Sequence, residues 1–337
     1  MPPRPPPGEF ELIDLFTREL PLRGRGVWLG VGDDAAVLSP PPGERLVATA
    51  DAVVEGVHFD RRFRPEEIGW KALAVNLSDL AAMGARPLWA LVALGLVPGT
   101  SSERALRIAR GLGRCARAHG VAVVGGNVTR AGQLSLTVTA LGSVRPRALL
   151  RRAGARPGDA VLVSGTLGDA ALGMAPGAAR PLVRRQRLPE PRIALGRALA
   201  GIATAAIDVS DGLVQDLGHL CRASGVGATV RLAELPLSAA YLRAVRGRAD
   251  PWATALSGGE DYELVATVPV RRVPGALRAA RRVSVPLAVV GSIVRGAGVR
   301  VVRCRGGLHP PVRGHDHLAR VPRTLTSPGE PVGSVLP

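Results

Sequence analysis

Lysine is almost missing from this chain. Lys71 is the only one among 44 basic side chains in 337 residues, so every other basic residue is arginine. That lysine lies inside the apolar stretch WKALAVNL, and no GxxxxGK[ST] loop occurs, which excludes a Walker-type nucleotide site. A GxSxG elbow, an HExxH helix and a kinase-type HRD are also absent. Cysteines number three, Cys115, Cys221 and Cys304, far apart and without a CxxC pair. This speaks against a disulfide framework or a zinc site and fits a reducing cytoplasm. Aromatic residues make up only 3% of the chain, so the core must be built from Ala, Val and Leu. The longest strongly apolar run, Trp89 to Val97, falls far short of the roughly 20 residues a membrane span needs. The start, Met1 to Gly8, is nearly all proline and does not read as a signal peptide.

Charge is present in excess, at a formal +17. Residues 1–145 hold 17 basic and 14 acidic side chains (+3), and residues 146–337 hold 27 and 13 (+14). The arginines are scattered and no aromatic stacking motif accompanies them, so nucleic-acid binding is not expected. An Arg and Ala bias of this kind reflects composition more than a binding surface.

A hydrophobic content of 46% indicates a folded protein, and the length suggests two domains at roughly 100–200 residues each. The spacing predicts helices over 9–20, 65–83, 101–119, 191–200 and 213–223. Strands are predicted at 27–31, 35–38, 46–50, 88–96, 121–124, 134–144, 160–164, 205–209, 264–268 and 287–290. This alternation indicates an α/β or α+β fold, not a bundle. The basic, Pro- and Gly-containing stretch 145–159 marks a domain boundary. Residues 1–8 read as an unpacked leader, 9–145 and 146–320 as the two domains, and 321–337 as a flexible tail.

Short carboxylate motifs punctuate the apolar segments: Gly32-Asp33-Asp34, Thr49-Ala50-Asp51, Asn76-Leu77-Ser78-Asp79 and Asp208-Val209-Ser210-Asp211-Gly212. Taken singly, each has a plainer explanation as a turn, an N-cap or a solvated helix residue. If several converge, two charges about 5 Å apart repel by roughly 3 kcal/mol at an effective dielectric near 20. Clustered Asp and hydroxyl oxygens then suit Mg²⁺, which can hold a polyphosphate without a phosphate-binding lysine. Gly125-Gly126-Asn127 and Ser164 to Asp169 could aim backbone N–H groups at phosphate oxygens, although plain turns are the commoner use of such glycines. Ser257-Gly258-Gly259-Glu260-Asp261-Tyr262-Glu263 enters a strand through acidic residues, so a cationic ligand and a solvated turn both remain open. His58, His315 and His317 are ligand contacts or loop residues.

Read in order, GEFELIDLF, GDDAAVL, TADAVVEGVHF, KALAVNLSDLAAMGARP, GGNVTR, PGDAVLVSGTLGDAALG, AIDVSDGLVQDLGHL and LSGGEDYELVATVP resemble the thiamine-monophosphate kinase family. The similarity spans roughly residues 8–320. The family belongs to the aminoimidazole ribonucleotide synthetase-like (PurM-like) superfamily, so the resemblance implies two α/β domains and an ATP site formed across a homodimer. It implies transfer of a phosphoryl group from ATP to thiamine monophosphate, with Asp34, Asp51, Asp79 and Asp211 central to catalysis. Magnesium ligands would be Asp34, Thr49, Ala50 (by its carbonyl), Asp51, Asp79, Asn127, Asp208 and Asp211. Gly126, Asn127, Arg152 and Ser210 would lie at the nucleotide, and His58, Glu260 and His315 at the thiamine moiety. Ala50 and Asn127 depart from the family's usual TTD and GGD, as does His315 from the usual aromatic. Weakened magnesium affinity is therefore expected. A superfamily enzyme with another substrate, or a nucleotide-binding relative without turnover, are the alternatives.

Overall fold

The computed structural model describes residues 9–303 and 307–310. The leader 1–8, Cys304, His315, His317 and the tail 321–337 lie outside the described residues. The first half runs α1 (Glu9–Arg18), β1 (Val27–Leu29), β2 (Val37–Leu38), β3 (Arg45–Val54), α2 (Pro65–Ala82), β4 (Arg86–Leu96), α3 (Ser102–His119), β5 (Ala122–Arg130) and β6 (Ser135–Val144). Its four-stranded sheet has the order β3-β6-β4-β5, antiparallel except for the β4/β5 pair.

The second half runs β7 (Asp159–Ser164), α4 (Asp169–Gly173), α5 (Arg180–Arg187), α6 (Ile193–Leu199), β8 (Ala205–Asp208), α7 (Leu213–Ser224) and β9 (Gly227–Arg231). It continues with α8 (Ala239–Ala244), α9 (Ala253–Ser257), β10 (Leu264–Pro269), α10 (Val273–Arg282), β11 (Leu287–Val294) and β12 (Gly298–Val302). Its six strands are ordered β12-β9-β11-β7-β10-β8, with only β12/β9 parallel. The expected mixture of helix and sheet is borne out, with mostly antiparallel sheets. Among the described residues no helix is long and apolar enough to cross a membrane.

Helix α2 joins the halves. Pro65 opens it, and Glu67 accepts a hydrogen bond from the Arg64 backbone N–H at 2.8 Å, satisfying one donor at the helix start. Its 18 residues include 14 that are buried, so it has no solvent stripe and behaves as a core element. One side packs on α3, where a Cβ at Gly69 would collide with the Ile108 carbonyl. Its last turn, Ala81 and Ala82, joins a core shared with Leu195 and Leu199 of α6 and Leu264 of β10.

Gly125-Gly126-Asn127 differs from expectation. It continues strand β5 beside Leu91, Val92 and Ala93 instead of forming a loop after it. A Cβ at Gly126 would strike the Val92 carbonyl, so glycine serves the close strand pairing here. Helices α5 and α10 were not expected. Their buried residues are Leu182 and Gln186 in one and Ala276 and Ala280 in the other, too few and too small for a visible apolar period.

Candidate active site

A cavity of about 1020 Å³ opens between the two halves. Thr49 and Asp51 reach it from β3, His58 from the following loop, and Asp79 from the end of α2. The second half contributes Arg152, Asp208, Ser210, Asp211 and Glu260. Strand alternation explains the β3 pair, because residues two apart share a face. Ala50 stands between them on the opposite face, in the row of Thr139, Leu91 and Gly125. Replacing its side chain therefore takes no hydroxyl from this cavity. Asn127 shares that outer face, in the row of Ala93, Thr137 and Ala52, on the far edge strand from β3. Gly126 lies beside it, and Asp34 sits exposed in the turn after β1, where its N–H meets the Asp33 carboxylate at 2.8 Å. None of these four residues lines the cavity of the single chain.

The carboxylates within the cavity are linked from both halves. Thr49 donates to Asp79 at 2.5 Å, Ser78 donates to Asp208 at 2.7 Å, and the Asn76 side chain accepts the Asp51 N–H at 2.9 Å. Burial raises the Asp79 pKa, opposed by Thr49 and by the charge of Arg152. Burial and the charge of Asp79 push Asp208 up to about 7, again opposed by Ser78 and Arg152. The site thus holds more negative charge than its own residues balance.

The loop bearing Ser210 and Asp211 is built by a residue the sequence reading did not single out. Asp216, in the first turn of α7, accepts the N–H groups of Ser210, Asp211 and Gly212 at 3.0–3.1 Å. The carboxylate five residues after Asp211, just inside an apolar helix, was the available signal. Against this loop lies the Gly258–Glu263 segment. Glu260 N–H donates to Ser210 O and Tyr262 N–H to Val209 O, both at 2.8 Å. Glu260 and Tyr262 have φ of 68° and 50°, a left-handed backbone that costs of order 1–3 kcal/mol each.

All three acids of this segment have internal partners. Glu260 pairs with Lys71 at 2.6 Å. Asp261 accepts the Gly168 and Ala170 N–H groups at 2.6 and 3.3 Å, so the start of α4 is taken by a protein carboxylate. Glu263 is fully buried between Arg185 and Arg192 and accepts from Ser164 at 2.5 Å. Burial works to raise its pKa, yet the Arg192 hydrogen bonds and both arginine charges outweigh it and hold the group below its usual value.

Mg²⁺ fits the donor set, which is hard oxygen throughout. Among the described residues no three His, Cys, Asp or Glu side chains are close enough to hold a metal alone. That agrees with an ion that takes one or two carboxylates and completes its shell with substrate phosphates and water.

An acidic inter-domain cavity beneath a mixed four-stranded sheet, with no lysine-bearing phosphate loop, places the chain in the AIR synthase related class. That family's N-terminal domain matches residues 32–144 and its C-terminal domain residues 156–303. The thiamine-monophosphate kinase of Salmonella typhimurium is 41% identical over 325 residues, 93% of this chain and 98% of that protein. The crystal structure of the enzyme of that name from Stenotrophomonas maltophilia is 44% identical, with a TM-score of 0.79 over 87% of this chain and 96% of that one. AaThiL, solved complexed with AMPPCP and TMP, is 34% identical, with a TM-score of 0.74 over 92% and 97%. This chain belongs to the thiamine-monophosphate kinase family.

Proposed function

We propose that the protein transfers the terminal phosphoryl group of ATP to thiamine monophosphate, giving thiamine diphosphate and ADP. The observation that carries this reading is the meeting of Asp51 and Asp79 with Asp208 and Asp211 in one cavity, in a family whose relative is solved with AMPPCP and TMP. A phosphate oxygen of thiamine monophosphate attacks the γ-phosphorus, and the bond to the β-phosphate oxygen breaks. The acceptor phosphate is mostly ionised near pH 7, its second pKa being about 6, so no general base is needed. Positioning and charge neutralisation then supply catalysis.

Several Mg²⁺ ions, each held by one or two of Asp51, Asp79, Asp208 and Asp211 with help from Thr49, would neutralise the phosphate oxygens during transfer. Arg152 and Ser210 face the nucleotide phosphates, and Asp216 keeps the Ser210 loop open toward them. His58 and Glu260 face the thiamine moiety. In this reading residues 9–145 form the N-terminal ATP- and magnesium-binding domain, 146–320 the C-terminal domain, and the enzyme works in the cytoplasm.

A homodimer completes the site. Support comes from the uncovered apolar side chains of the first half, Trp28 (79% exposed), Val37 (53%) and Leu46 (52%). Pairing of two such surfaces buries them and allows the outer-face Asn127, with Asp34 and Gly126, to serve the partner's cavity.

The test is ATP consumption with Mg²⁺ and a panel of acceptors. Turnover with thiamine monophosphate and not with an aminoimidazole ribonucleotide supports the proposal. Tight nucleotide binding with no turnover of any acceptor refutes it.

A further inference from the structure

Arginine fills every basic position of this chain except one, and that exception is wholly enclosed. Lys71 is 1% exposed, in the middle of α2. Its ammonium donates to the His58 carbonyl at 2.9 Å, pairs with Glu260 Oε1 at 2.6 Å, and stands 5.6 Å from the centre of the Phe63 ring. An ammonium directs its three donors around a point, whereas a guanidinium is planar, larger and forked. The space bounded by a carbonyl, a carboxylate and a ring face fits the first and not the second, which accounts for a lysine in a chain that otherwise uses arginine.

The two groups it grips are the two walls assigned to the thiamine moiety. His58 belongs to the loop after β3 and Glu260 to the segment before β10, 202 residues later in sequence, and the Lys71 ammonium bridges the two. Each side chain is also tied within its own half. Val54 N–H donates to His58 Nδ1 at 3.2 Å, and Gln186 donates to Glu260 Oε2 at 3.4 Å. The left-handed backbone at Glu260 makes its orientation costly to hold without a partner. Burial lowers the Lys71 pKa, opposed by Glu260, so the pair is the main interaction keeping that ammonium charged.

We propose that Lys71 is a positioning residue that fixes the Glu260 carboxylate and the His58 loop as facing walls of the subsite for the cationic acceptor. This rests on the assignment of that subsite to His58 and Glu260. The pair does not simply cancel charge: it sets where the carboxylate sits, at the expense of part of its attraction for a thiazolium ring.

Steady-state kinetics with ATP and thiamine monophosphate test it in K71M, K71R, E260Q and the double variant K71M/E260Q. K71M and K71R should both raise KM for thiamine monophosphate about tenfold, the scale of one lost charge-assisted hydrogen bond, with KM for ATP changed less than about twofold. The double variant buries no unpaired charge, so it keeps the test alive should K71M fail to fold. Its KM for thiamine monophosphate should fall within about threefold of E260Q alone, because the two residues act as one unit. A KM for thiamine monophosphate that stays constant or falls in K71M, full rescue by K71R, or equal rises in both KM values would overturn the proposal. If E260Q itself leaves that KM unchanged, the subsite is misassigned and the role of Lys71 falls with it. A rise in E260Q without one in K71M leaves the subsite standing and removes only Lys71.

Discussion

Replacing Asp208 with Asn should make the metal-free protein more stable and the enzyme inactive. Asp208 is fully enclosed, accepts one hydrogen bond from Ser78 and faces the charge of Asp79. Its pKa is pushed from 3.8 to about 7, so between those values the folded chain holds a proton that the unfolded chain has released. For a raised pKa the stability is intact below the unfolded value and is lost as pH rises through the folded one. The raised pKa therefore costs about 4 kcal/mol at pH 8, where Asp208 is ionised, and about 2 kcal/mol at pH 5, where folding must keep it protonated, at 1.36 kcal/mol per unit. Asn keeps an acceptor for Ser78 and carries no charge. In EDTA, D208N should melt roughly 8 °C higher at pH 8, at about 2 °C per kcal/mol for a unit of this size, and about half as much higher at pH 5. Scanning calorimetry reads both values. Mg²⁺ with ATP should raise the wild-type Tm and leave that of D208N nearly unmoved. A variant that melts lower than wild type, or by the same increment at both pH values, would refute the argument that uncompensated charge is built into the cavity.

Glu263→Gln should destabilise by roughly 3–5 kcal/mol, since it leaves Arg185 and Arg192 buried without their anion. The depressed Glu263 pKa gives the complementary pH signature: its stabilisation is present above the usual 4.5 and is lost as pH falls through the folded value, which acid titration of Tm in wild type and E263Q will separate. Asn127→Asp should lower the Mg²⁺ concentration for half-maximal activity. If both activity and magnesium dependence stay the same, position 127 is not at a metal. Leu46→Glu, on the uncovered face of β3, should shift the protein toward monomer in light scattering and reduce turnover with it.

The cavity was partly legible in the sequence because its carboxylates follow apolar segments at strand and helix ends. Asp79 and Asp208 are brought together by α2 packing against β8, and the motifs around them already looked dense in oxygen donors. What could not be read was which acids face the cavity and which face the protein. Asp261 and Glu263 sit in the same motif as Glu260, yet their partners lie more than 70 residues away, at Gly168, Arg185 and Arg192. Lys71 stood out only as a lone charge inside an apolar helix segment, because its partner Glu260 follows by 189 positions. Strands β9 and β12 escaped notice because Gly-Ala-Thr-Val-Arg and Gly-Val-Arg-Val-Val are short, each carries an arginine and neither holds a long apolar run. The outward placement of Ala50 follows from register alone and could have been anticipated from the alternation of β3.

Phosphorus NMR of the purified protein with ATP, Mg²⁺ and thiamine monophosphate tests the central claim most directly, because it follows each phosphorus atom through the reaction. Direct transfer predicts that ATP and thiamine monophosphate signals fall together while ADP and thiamine diphosphate rise in equal amounts, with no inorganic phosphate, and that D79N and D208N show none of this. Inorganic phosphate released alongside ADP, with thiamine monophosphate unchanged, would contradict it.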